Sequence, residues 1–314
     1  MRFSTGLPGL DRYPPSRYAD GGGWQAALGG EDFQRIARTA ESLGFDEISV
    51  SEHLVLPTDL AGAMGGHWPH AMTAMAFLAG ATTRIRVNSQ VLVLPLHHPV
   101  ALAKAIATLD VLSGGRLTVT CGLGIAPGEF AALGVPFSRR GRVADEAVAA
   151  MKELWTSPAP SFDGEFVQFS DIVFAPKPVQ RPHPPLWFGG RSLAAFARAA
   201  REGDGWSPAG MVMGSGPWLA DADQLPELLA GVRAQRPFDV HYPVLQPRIG
   251  EGHQLQAPAF VPDSAQAIVD EVGRLASLGV TSTTVPSLAP VPDTLEGHLE
   301  GLAWIAEHVI APLR

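Results

Sequence analysis

Short β-branched runs alternate along this chain with longer stretches whose apolar residues recur every three or four positions. The first run, 2–7, is stopped by Pro8-Gly9, and a Gly- and Tyr-containing loop leads to Gly30. Phe33, Ile36, Ala37, Ala40 and Leu43 then fall at helical spacing over 31–43, with Gly44 placed to end the helix. The same reading predicts strands over 45–50, 85–94, 116–121, 185–188, 205–207, 239–246 and 280–285. It predicts helices over 70–80, 100–112, 143–155, 192–201, 217–234, 264–278 and 294–309. One segment breaks the alternation. Phe162, Phe166, Val167 and Phe169 around Asp163-Gly164 predict a hairpin over 161–170.

Eight strand–helix units in 314 residues form the pattern of an α/β TIM (β/α)8 barrel. The expectation is a single domain, 1–314, with a hairpin-containing insertion around 157–184. The competing architecture is a doubly wound sheet. It needs fewer strands and usually carries a phosphate-loop fingerprint after the first, which this sequence lacks.

Composition narrows the class. A hydrophobic content of 46% supplies one large core and excludes a disordered chain. The single cysteine, Cys121, excludes a disulfide framework and a cysteine-built zinc site. A net charge of −8 without a basic cluster argues against nucleic acid as a partner. The longest apolar stretch, 91–96, is far short of the roughly 20 residues of a membrane helix, so no membrane partner is expected. The N-terminus has no apolar secretory core, and a cytoplasmic protein acting on a small molecule is expected.

A barrel of this kind builds its active site at the C-terminal ends of its strands. Two strand ends carry readable chemistry. Glu52-His53 sets a carboxylate beside an imidazole, the side chain whose charge changes nearest neutral pH, so His53 is a candidate proton donor or electrostatic partner. Its bland alternative is a loop or capping histidine bonded to backbone. Gly189-Gly190-Arg191-Ser192 offers close backbone approach, a fixed positive charge and a capping hydroxyl, which together make a phosphate seat. The bland alternative there is an ordinary glycine turn with a capping serine.

Other positions read as structural. Gly122-Leu123-Gly124 opens like a dinucleotide fingerprint, but Pro127 stands where the third glycine belongs. His67 and His70 read as a loop-to-helix boundary, His97-His98 as surface or capping histidines, and Cys121 as a small core residue. Hydrolase and NTPase signatures are absent.

Several segments together resemble one family. They are AESLGFDEISVSEHL (40–54), ATTRIRVNSQVLVLPLHHPVALAKAIATLDVLSGGRL (81–117), GEFAALGVPFSRRGRVADEAVAAMKELWT (128–156), FDGEFVQF (162–169) and PKPVQRPHPPLWFGGRSLAAFARAAREGDGWSP (176–208). They are similar to the luciferase-like flavin- or deazaflavin-dependent oxidoreductases, which include bacterial luciferase, alkanesulfonate monooxygenase and the coenzyme F420-dependent dehydrogenases and reductases. The resemblance implies a flavin-type ring at the barrel mouth, against a bulge with a non-prolyl cis peptide at Gln90-Val91 or Ser89-Gln90. Gln90, Val91, Gly122, Gly124, Gly189, Gly190, Arg191 and Ser192 are its expected cofactor-binding residues, the last four at the phosphate. His53 and Glu52 are the expected catalytic pair, with Glu52 orienting His53, and Trp68 reads equally as a wall of the site or as plain packing. Ile125 stands where some sugar-phosphate dehydrogenases of the F420 branch have an acid, and the next acid is Glu129, which implies a less polar pocket. The F420 branch is the nearer match and implies hydride transfer. FMN-dependent oxygenation is the alternative, a flavin-binding protein without turnover the second alternative, and a homodimer is usual in the family.

Overall fold

The computed structural model describes residues 1–7, 23–64, 66–208, 217–249, 255–258, 260–289 and 293–314. The turn expected at Pro8-Gly9 and the loop before Trp24 lie outside the described residues, up to residue 22.

Eight parallel strands run in sequence order: β1 (Arg2–Gly6), β2 (Glu47–Val50), β3 (Arg86–Val93), β4 (Leu117–Gly122), β5 (Leu186–Gly189), β6 (Gly205–Ser207), β7 (Asp239–Val240) and β8 (Ser282–Thr284). β8 returns to pair with β1, Arg2 opposite Ser282. The last seam, between β7 and β8, closes through a parallel bridge at His241–Ser282. Backbone bonds from Tyr242 N–H to Ser282 and from Val244 N–H to Thr284, both 3.0 Å, extend it. The chain forms a TIM barrel.

Around it run α1 (Gly30–Ser42), α2 (Thr58–Met64), α3 (Ala71–Ala81), α4 (Pro99–Leu112), α5 (Pro127–Ala132), α6 (Arg140–Thr156), α7 (Leu193–Glu202), α8 (Leu225–Arg233), α9 (Ala265–Ser277) and α10 (Leu295–Ile305). No helix among the described residues is long and apolar enough to cross a membrane. The hairpin of the insertion forms between 162–163 and 168–169, with the Phe162 and Phe169 rings stacked 5.9 Å apart.

Several elements depart from the sequence reading. The helix expected over 217–234 begins only at Leu225, because 217–219 is held extended by a bridge between Trp218 and Ser192. The strand expected over 239–246 is regular only at 239–240, and 247–249 pairs antiparallel with 255–258. α2 and α5 were too short to show a period, since seven and six residues span two turns at most.

Side chains alternate along the strands, and the alternation is inverted relative to a simple oily core. Ile48, Val50, Val87, Leu117, Val119, Leu186, Phe188 and Val240 belong to the apolar layer under the helices. The intervening positions form a polar lumen. There Glu47 accepts from Asn88 at 2.9 Å, Thr120 donates to Asn88 at 2.9 Å, and His241 lies 3.1 Å from the Ser282 hydroxyl. Burial pushes the Glu47 carboxyl up and the His241 imidazole down to about 4. Cys121 is a buried core residue, its thiol pushed up to about 12 by burial.

Candidate active site

β2 ends at Val50, and the residues that follow it reach in different directions. The Ser51 hydroxyl donates to the Gln90 carbonyl at 2.6 Å. The buried Glu52 carboxylate accepts the Val93 N–H at 2.8 Å, and His97 Nε2 lies 3.0 and 2.9 Å from its two oxygens. His53 turns the other way. Its Nδ1 lies 3.1 Å from Glu129 Oε2, while Glu129 Oε1 accepts the Leu54 N–H at 2.7 Å.

Two expectations are corrected here. Glu52 does not orient His53, because its carboxylate is taken by the Val93 N–H and His97, and Glu129 stands beside the imidazole instead. His97 is no surface histidine: its side chain is 14% exposed and engages Glu52. Ile125 leaves the strand-four position without an acid, yet α5 carries Glu129 back to the same loop with its side chain fully buried. Trp68 packs edge-on against the His53 ring, centroids 4.8 Å apart. His70 caps α3, its Nδ1 accepting from Thr73 N–H.

The arrangement suits proton transfer. With Nδ1 donating to the Glu129 carboxylate, Nε2 carries the lone pair, and it has no hydrogen-bond partner among the described residues. His53 keeps 9% of its surface exposed at the strand end.

At the end of β3 the Gln90–Val91 peptide is cis, and the register with β4 jumps between Gln90 and Leu92. The Val91 side chain sits between two glycines. A Cβ on Gly122 would lie 2.3 Å from one Val91 methyl, and a Cβ on Gly189 would lie 2.5 Å from the other. A Cβ on Gly124 would meet Phe130 at 2.6 Å. Those three glycines therefore admit the protein's own side chains, and at Gly189, where close backbone approach to a ligand is expected, the space is taken by Val91. Gln90 reaches across the mouth, its Nε2 donating to the Ser207 hydroxyl at 2.7 Å.

The turn after β5 is shaped by backbone. Gly190 has φ +110°, a conformation that disfavours any side chain. Its N–H donates to Ser207 and its carbonyl accepts the Trp206 indole. Ser192 caps α7, its hydroxyl accepting the Ala195 N–H at 3.0 Å. Arg191 is a further correction to the phosphate seat. It is 1% exposed, and its guanidinium donates to the carbonyls of Leu219 and Ala220.

A family model described as luciferase-like monooxygenase matches residues 18–236. An uncharacterized protein of Mycobacterium tuberculosis is 32% identical over 280 residues, 85% of this chain and 91% of the relative. An FMNH2-dependent dimethylsulfone monooxygenase of Pseudomonas putida is 37% identical over 174 residues, 54% of this chain and 46% of that enzyme. An F420-dependent glucose-6-phosphate dehydrogenase of Amycolatopsis mediterranei is 32% identical over 183 residues, 57% of this chain and 53% of that enzyme.

Proposed function

The chain belongs to the luciferase-like monooxygenase family, and from that premise we propose an F420-dependent oxidoreductase that moves a hydride to or from a small organic substrate. The observation that carries the reading is His53, anchored on Glu129 through Nδ1 and open at Nε2. The residues of the mouth fit a flat ring with a phosphate-bearing tail. The Val91 bulge, seated in the space left by Gly122 and Gly189, is an apolar surface, and Ser51, Gln90 and Ser207 supply polar atoms beside it. The N–H groups of Gly190, Leu193 and Ala195 are committed within the protein, so what the β5 turn would offer a phosphate is the positive N-terminal end of the α7 dipole. When bound, the deazaflavin would supply the two-electron chemistry.

The chain's own residues do the rest. Oxidation of an alcohol releases one proton from oxygen for each hydride removed, and reduction of a carbonyl consumes one. His53 Nε2 takes or gives that proton, and Glu129 holds the ring and balances the imidazolium. Trp68 against the ring narrows the approach and limits water. In the alternative reading the same histidine serves FMN-dependent oxygenation. The likeness to the dimethylsulfone enzyme favours that alternative over the matched segment.

A homodimer of single-domain subunits completes the proposal. It is supported by α3, whose exposed positions Thr73, Ala76, Phe77 and Gly80 carry no charge. Titration of the purified protein with F420 and with FMN, followed by fluorescence quenching, tests the cofactor. Tight F420 binding is expected, and tight binding of FMN alone would overturn the assignment.

A further inference from the structure

The ladder between β2 and β3 ends where Val50 pairs with Ser89. The next four residues of β3, which include the Val91 bulge, are held on that side by side chains. Ser51 takes the Gln90 carbonyl and Glu52 takes the Val93 N–H, so two consecutive residues grip the bulge from either end. Past the 3-10 turn Leu94–Leu96 the chain returns, and His97 meets both oxygens of the same carboxylate.

We propose that Glu52 and His97 form a clamp that fixes the Val91 bulge and so sets the seat of the cofactor ring, which makes Glu52 a positioning residue. The inference rests on the reading of the mouth as a flavin-type site.

The Glu52 side chain is 0% exposed, so its contacts cannot be exchanged for water without cost. Moving the bulge away from β2 breaks the Val93 bond. Moving the 94–97 turn breaks the His97 contact and leaves a sealed carboxylate short of donors. The clamp also sits one residue before His53, so the wall behind the ring and the proton carrier share one anchor. That is a use for an acidic-His pair that needs no contact between the two side chains.

The test pairs hydrogen–deuterium exchange of the ligand-free protein with cofactor titration and steady-state kinetics. Glu52→Ala and His97→Leu should speed exchange at the amides of 91–93 and raise the cofactor Kd and KM about tenfold, with kcat falling by no more than about threefold. His97→Gln, whose side-chain amide can donate to the same carboxylate, should restore both within about threefold. His53→Ala should do the reverse, lowering kcat with exchange and Kd unchanged. Wild-type exchange and affinity in Glu52→Ala would overturn the clamp, as would a His97→Gln protein as defective as His97→Leu. If the wild type binds neither F420 nor FMN, the functional reading fails. The bulge half of the clamp is still decided by exchange.

Discussion

The turns after β2 and β5 close the same end of the barrel by different means. After β2, four consecutive residues, 51–54, bond outward to β3, His97 and α5, three of them to an ionisable side chain. After β5, backbone conformation does the shaping: a positive-φ glycine, a capped helix, and an arginine folded inward onto two carbonyls. The sequence presents the two alike, each as a short polar motif at a strand end. Their difference is one of outlet. The β2 turn ends in an imidazole nitrogen open to a ligand, whereas the most conspicuous side chain of the β5 turn is spent on the protein. Substitutions should therefore hit chemistry at the first and stability at the second.

The largest break in that comparison should come from His53. His53→Ala is expected to lower turnover by about 10²- to 10⁴-fold while leaving cofactor affinity and unfolding midpoint near wild type. Glu129→Gln should lose about 10²-fold. Its carbonyl oxygen can still accept the Leu54 N–H, but its NH2 then faces Nδ1 and forces the proton onto Nε2. Steady-state kinetics at saturating cofactor decide it, and a Glu129→Gln enzyme with full turnover would remove the dyad from the mechanism.

Arg191 tests the other side. Arg191→Leu leaves the carbonyls of Leu219 and Ala220 without a charged donor and should cost about 2–4 kcal/mol in urea unfolding. The cofactor Kd of the folded fraction should move by less than about threefold. A large loss of affinity with little loss of stability would return the guanidinium to the phosphate seat.

How far the sequence carried these distinctions depends on the range of the contact. The barrel was legible because alternation and helical period are local, and the bulge at Gln90-Val91 was reached through resemblance. Side-chain outlets were not legible. Glu52 and His53 are neighbours in sequence and point apart, while His53 and Glu129 are 76 positions apart and touch. A signal was present in the -Pro-Gly-Glu-Phe- run that opens α5, but only the fold says which strand end it faces. The glycines are ambiguous for a related reason. A missing Cβ reads equally as room for a ligand or for a neighbouring side chain, and Val91 fills the room at Gly122 and Gly189.

Two histidines sharpen the contrast between anchored and sealed groups. His53 has a carboxylate and an open edge; His241 in the lumen has the hydroxyls of Ser282 and Thr284 and is 3% exposed. Burial, then the nearby Arg2, holds His241 down to about 4 from an ordinary 6.5. Between those values the unfolded chain binds a proton that the native barrel refuses, so stability rises with pH across the window and falls as pH drops from 6.5 toward 4. The loss should approach about 3 kcal/mol below pH 4. Urea midpoints from pH 4 to 7 should show the slope in the wild type and a flatter profile in His241→Gln. An unchanged slope would assign the acid sensitivity to other groups.

The smallest effect separates the two uses still mixed at Ser192. Its hydroxyl is committed to the Ala195 N–H, so Ser192→Ala should cost about 1 kcal/mol, the ordinary loss of an N-cap. Ser192→Asp keeps a good cap and favours the helix dipole, so stability should return to within about 0.5 kcal/mol of wild type. The same carboxylate would stand at the N-terminus of α7, where an incoming phosphate would meet it. If that turn receives the phosphate, Ser192→Asp should bind the cofactor about tenfold more weakly at low salt, and the deficit should shrink as salt screens the repulsion. Ser192→Ala should bind normally. An aspartate variant with both stability and affinity intact would move the phosphate away from the β5 turn and leave its glycines a purely structural role.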